Sequence, residues 1–126
     1  MIPRKPLASL PTHKVANMPP HLGDQDLWQS DPALQEGIAR DGAGWAESTL
    51  AEFGKVAGAV ETFEKAELAN RYPPELKAFD RYGMRINQVT YHPAYHELLA
   101  IAVENEIASF AWNHPQSGSQ VGNAAL

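Results

Sequence analysis

Residues 91–112, YHPAYHELLAIAVENEIASFAW, decide how the chain is organised. At their head His92 and His96 stand four apart and Glu97 follows, the spacing at which one helix face offers two imidazoles to a metal ion. Pro93 changes that reading. The residue before a proline is biased to extended backbone, and proline suits the first helical position, so His92 is expected to cap a helix that starts at Pro93. Tyr91 and His96 then occupy the two places that pack together as a hydrophobic staple. A zinc site would need a third protein ligand, and no HExxH-type arrangement stands nearby. Tyr91, His92, Pro93 and His96 are therefore read as a structural helix start, and no metal ligand is assigned.

Past that start, Tyr95, Leu98, Leu99, Ala102, Val103 and Phe110 form one broad apolar face, which predicts a single helix over 93–112. From Leu98 to Val103 six consecutive residues are apolar, so the helix needs cover on more than one side. A domain of this size has little to supply it. Leu98, Leu99, Ile101 and Val103, with Trp28 from the N-terminal arm, are accordingly expected at an interface with something outside this chain.

Working outward, LKAF and MRINQVTY flank the turn DRYG and predict a hairpin near 76–91, with Gly83 free to take positive φ. Upstream, VETFEKAELANRY predicts an acidic helix ended by Pro73 and Pro74. Trp45, Thr49, Leu50, Phe53, Val56 and Ala57 recur at helical spacing after the DGAGW interruption. A short helix precedes it, capped by Ser30 or Asp31 with Pro32 in its first turn. Before that, residues 1–29 hold Pro3, Pro6, Pro11, Pro19 and Pro20, so an extended arm is expected. Its Leu10, Val15, Met18, Leu22, Leu27 and Trp28 are too apolar for a plain linker, which suggests docking along another surface, such as one on a second subunit. Residues 113–126 read as a loop, NHPQSGSQ, and the start of a truncated helix, VGNAAL. The fold class is mainly α: a helical domain of about four helices over 30–112 with one short β-hairpin.

The 126 residues suffice for one hydrophobic core, and 44% hydrophobic against 20% charged residues is a globular composition. With a net charge of -5 and ten Lys and Arg scattered along the chain, no basic stripe is available for a phosphate backbone. There is no cysteine, hence no disulfide, thiolate nucleophile or Cys-based zinc site. No signal peptide and no apolar run of roughly 20 residues stands in the sequence, so a soluble, cytoplasmic protein without membrane contact is expected.

Other chemical candidates read more simply as structure. Glu97 and Glu104 share a stripe of the strong helix but look like a solvated face. Gly42 and Gly44 lack the preceding strand and the GK[ST] of a phosphate loop. Ser109, Ser117 and Ser119 have no nucleophile-elbow context. Trp28, Trp45 and Trp112 are expected in core more than in a binding site. No catalytic or cofactor-binding residue is assigned.

Three stretches, THKVANMPP, DLWQSDPALQEGIARDGAGW and LANRYPPELKAFDRYGMRINQVTYHPAYHELL, together resemble the N-terminal helical domain of the adaptive-response, AidB-type acyl-CoA dehydrogenases. The combination of DGAGW, LANxxPPEL and FDxxG followed by VxxHPAYH carries the resemblance. It implies a flavoprotein with a central β-domain, a C-terminal helical bundle and a further DNA-binding helical region, assembled as a homotetramer. FAD and the catalytic glutamate then belong to those other parts, and DNA is reached only through regions absent here. The partners implied are the remaining domains of the parent flavoprotein or other subunits. This segment would wall the acyl/flavin cavity, support assembly and be silent alone. At VGNAAL the family has a basic residue and a continuing helix, so Gly122 and Asn123 are expected to weaken that helix. Two further readings are a free-standing interaction or oligomerisation module without flavin, and a metal-dependent enzyme through His92 and His96.

Overall fold

The computed structural model describes Thr12, residues 16–19 and residues 22–126. Expectations for the rest of the proline-rich arm lie outside the described residues. Five prolines stand before residue 30, and the first helix starts only at the sixth. In α1, Pro32–Arg40, Asp31 accepts the Leu34 amide at 2.9 Å and so satisfies one of the unpaired donors of the first turn. A 3-10 turn at Gly44–Ala46 leads into α2, Glu47–Ala57, and Gly58 separates it from α3, Val60–Arg71.

The hairpin pairs β1, Glu75–Phe79, antiparallel with β2, Arg85–Thr90. Asp80 organises its turn: one carboxylate oxygen accepts the amides of Tyr82 at 2.8 Å and Met84 at 2.9 Å, and Gly83 takes φ 82°. The register runs Glu75 to Thr90, Leu76 to Val89 and Lys77 to Gln88, then shifts before Phe79 meets Arg85. Asn87, at φ 47°, lies on β2 between the two registers.

From Pro93 the chain forms α4, which ends at Glu104 and not at Trp112. The apolar periodicity does continue, but Asn105 and Glu106 close the helix first. Glu106 takes φ 56°, its amide donates to the Val103 carbonyl at 3.1 Å, and the Ile107 amide donates to Ala102 at 3.0 Å. That pair of bonds is a Schellman motif with glutamate in the place glycine usually fills. After it come the single turn α5, Phe110–Asn113, and α6, Ser119–Ala125. The expectation for 113–126 is therefore corrected in its detail. Gly122 does not weaken α6 so much as fit it: a Cβ there would stand 2.8 Å from the Phe110 ring, and Asn123 accepts the Ala111 amide at 3.3 Å.

The core gathers Trp28, Ile38, Ala43, Ala46, Leu50 and Phe110, with Leu34, Ala51, Val121, Ala125 and Leu126 against it. None of these lies between residues 60 and 104. Small residues make the close contacts: a Cβ on Gly118 would fall 2.3 Å from the Gly42 carbonyl carbon, and one on Gly54 would fall 2.7 Å from the Trp28 amide.

Candidate functional site

Packing brings α3 and α4 together. Lys65 on α3 bridges Glu61 at 2.7 Å on its own helix and Glu97 at 3.4 Å on α4. Glu61, followed by Glu97, holds the Lys65 ammonium above the usual lysine range against partial desolvation. Where α3 ends, Tyr72 stacks on His92, with ring centres 5.1 Å apart. His92 is the N-cap of α4, its Nδ1 accepting the Ala94 amide at 3.1 Å, and Pro93 sits in the first turn. Tyr91 lies 4.3 Å from Tyr95 in a stacked pair and 5.7 Å edge-on from His96. His92 and His96 thus have local structural contacts. Among the described residues no three His, Asp or Glu side chains come together as a metal-holding group.

Along α4, Tyr95, Leu99 and Val103 follow at four-residue intervals and form one exposed apolar ridge; Leu99 is 49% and Val103 69% exposed. Leu98 and Ile101, in the same apolar run, are half-buried. The hairpin carries further exposed apolar side chains, Leu76, Phe79, Tyr82, Met84, Ile86 and Val89. Trp28 does not belong to this surface. At 7% exposure it closes this chain's own core against Gly54, because the glycine lets the arm's backbone approach α2 directly. The described part of the arm consequently docks in cis: the Gln25 amide donates to the Gly58 carbonyl at 2.9 Å and the Leu27 amide to Gly54 at 3.2 Å. Between that arm, α2 and the chain's last residues lies an apolar groove of about 540 Å³, lined by Leu27, Leu34, Leu50, Phe53 and Leu126.

The remaining candidates are spread through the fold. Glu97 is engaged with Lys65, and Glu104 is exposed. Gly42, at φ 88°, packs against Ser117 and Gly118. Trp45 stacks on Phe110 with centres 5.5 Å apart and donates its indole N–H to the Ser117 carbonyl at 2.9 Å. Ser119 is buried, while Trp112 stands 84% exposed on α5.

One polar group escaped the sequence reading. Glu106 accepts the Asn113 side-chain amide at 2.6 Å and pairs with His114 Nε2 at 2.7 Å. Asn113 first and His114 second hold the Glu106 carboxyl below the usual glutamate range. The residue pattern gave a clue only in hindsight: Asn105 is a good helix-ending residue, but unbroken apolar spacing around it masked that role.

Known proteins share this arrangement. Residues 17–126 match the family described as the adaptive response protein AidB N-terminal domain. Over 115 residues, covering 90% of this chain and 21% of the relative, the chain is 41% identical to AidB of Escherichia coli (strain K12), which carries the name of an acyl-CoA dehydrogenase. Among solved structures, the Bd2924 apo-form superposes with a TM-score of 0.69 at 24% identity, over 82% of this chain and 22% of that one. Caenorhabditis elegans ACDH-11 in complex with C11-CoA gives 0.67 at 18% identity, over 90% and 20%. The chain spans about a fifth of the length of these relatives. Among the described residues no helix is long and apolar enough to cross a membrane.

Proposed function

Since the chain belongs to the family of AidB N-terminal domains, we propose that it works within an FAD-dependent acyl-CoA dehydrogenase-like protein of the DNA alkylation response. In that role it walls one side of the acyl/flavin cavity, contributes a surface for assembly into a homotetramer, and is catalytically silent alone. The reading places the protein in the cytoplasm.

The observation that carries it is the exposed ridge Tyr95–Leu99–Val103, with further exposed apolar side chains on the hairpin. So much apolar surface on one part of a small chain marks a contact face. In this reading the flavin is held by other domains. Gly42 of the DGAGW turn packs against Ser117 and Gly118 of this chain. FAD, where bound, supplies hydride acceptance; the present residues would support neighbouring domains around it.

The test is isolation of the native product from its source, with its intact mass and its absorbance between roughly 350 and 500 nm, where oxidised flavin absorbs. A yellow assembly heavier than 13.8 kDa that contains this chain is expected. A colourless product of 13.8 kDa that gains no flavin in the presence of FAD would overturn the reading.

A further inference from the structure

Residues 60–104 contribute nothing to the core cluster, yet α3 packs extensively on α4 within them. α3 touches α2 only slightly, α4 has no comparable contact with α1, α2, α5 or α6, and the hairpin between them is sparsely packed on every helix. The chain enters this half once, at residues 57–60, and leaves it once, at 105–109.

Each crossing is pinned by one acidic side chain. At the entry, Asp24 reaches from the arm to accept the Val60 amide at 2.9 Å, and the neighbouring Gln25 amide holds the Gly58 carbonyl. Thr62 adds a bond from its hydroxyl to the Val56 carbonyl at 2.7 Å. At the exit, Glu106 sits in left-handed backbone and ties the turn after α4 to Asn113 and His114, whose ring lies 4.7 Å from that of Phe110 in the core. A non-glycine residue is uncommon there, and a glutamate fixed at both carboxylate oxygens gives the conformation a partner as well as a cost.

We propose that α3 and α4 form a rigid arm, carrying the hairpin between them, hinged on the rest of the molecule at these two crossings, with Asp24 and Glu106 as the latches that set its angle. The angle fixes the direction in which the Tyr95–Leu99–Val103 ridge is presented. A hinge of this type needs few residues to change backbone angles while both packed bodies stay intact. The inference rests on the distribution of contacts and holds whether or not the molecule serves a flavoprotein.

The chain has no cysteine, so spin labels can be placed without background after Glu36→Cys on α1 and Glu64→Cys on α3, both exposed positions. Pulsed electron resonance then reads the distance between the two halves in the full chain, alone and with Asp24→Ala, Glu106→Gly or both. Glycine at 106 keeps the backbone conformation accessible while removing the side-chain latch. The expected result is a single narrow distribution that widens or shifts in each latch variant and most in the pair, while the near-ultraviolet dichroism of Trp28 in the core and Trp45 stacked on Phe110 is retained. An unchanged distribution in the double variant would overturn the proposal. Loss of core and arm together in Glu106→Gly would also overturn it, because the halves would then be one cooperative body.

Discussion

Residues 28–57 together with 110–126 turn large apolar side chains such as Trp28, Ile38, Leu50 and Phe110 inward, whereas residues 60–104 keep Phe63, Tyr72, Leu76, Phe79, Leu99 and Val103 exposed. Both halves are rich in apolar residues. What separates them is the placement of small residues. Gly54, Gly58, Gly118 and Gly122 stand where two segments meet, and each removes a Cβ that would otherwise hold the backbones or rings apart. In the helix-hairpin half the buried residue is Ala94, and Gly83 has open space around it. One half therefore closes on itself, and the other presents its apolar surface outward, where a second body can bury it.

The largest break in this contrast should come from truncating matched aromatics. Phe110→Ala removes a ring that is 1% exposed and stacked on Trp45, and should cost about 3–5 kcal/mol. Phe79→Ala, in the exposed hairpin, should stay within about 0.5 kcal/mol. Urea unfolding of the two variants checks this. Equal losses would mean that the hairpin half has a core of its own.

Glycines offer a finer test. At Gly58 a Cβ would meet the Gln25 carbonyl oxygen at 2.1 Å although φ is an ordinary -86°, so Gly58→Ala is a purely steric insult. Overpacking of this kind costs about 1–3 kcal/mol. Gly83→Ala meets no atom within 4 Å, yet must hold φ 82°, a conformational cost of about 1 kcal/mol. The thermal midpoint should fall further for the first. Hydrogen exchange should speed up at residues 24–28 in Gly58→Ala and only around the hairpin turn in Gly83→Ala.

Smaller still in stability is Leu99→Asp combined with Val103→Asp. Both positions are exposed, so the change in folding free energy should stay within about 0.5 kcal/mol. On the proposed function, the same pair should abolish co-purification with the remaining domains of the parent flavoprotein. Wild-type association by the double variant would remove the ridge from the contact face.

How much of this could be read beforehand varies by region. The start of α4 was legible because Pro93 restricts its neighbour and itself by covalent geometry, which tertiary contacts do not override. The hairpin was legible for a similar reason, since Asp80 and Gly83 are turn residues with a local mechanism. The end of α4 was not. Its terminator is Glu106, a residue with no intrinsic preference for left-handed backbone, held there by Asn113 and His114 farther along the chain. Trp28, read both as core and as part of an outward interface, was ambiguous for the same kind of reason: its partner Gly54 is 26 positions away, and nothing local says which surface an apolar arm will choose. Exposure of Leu99 and Val103 was legible as excess hydrophobicity, but the division between exposed and half-buried members of the run needed α3 in place.

The smallest effect expected is electrostatic and lies at the joint between the halves. Asn113, and after it His114, depress the Glu106 carboxyl below its ordinary value of 4.5, so the folded state binds that proton less readily than the unfolded chain. A depressed acid contributes stability that is full above the unfolded value and is lost as pH falls through the folded one. In Glu106→Gln the amide cannot ionise, and that contribution is absent at every pH. The difference in thermal midpoint between wild type and Glu106→Gln should therefore be constant near neutrality and shrink as pH falls below about 4.5. The Asn113 side-chain amide resonances should titrate over the same interval in wild type alone. Because the pair is partly exposed, added salt should reduce its effect. A midpoint difference that survives unchanged to low pH would mean that the amide disturbs the hydrogen bonds to Asn113 and His114, with the glutamate's charge contributing nothing to the joint.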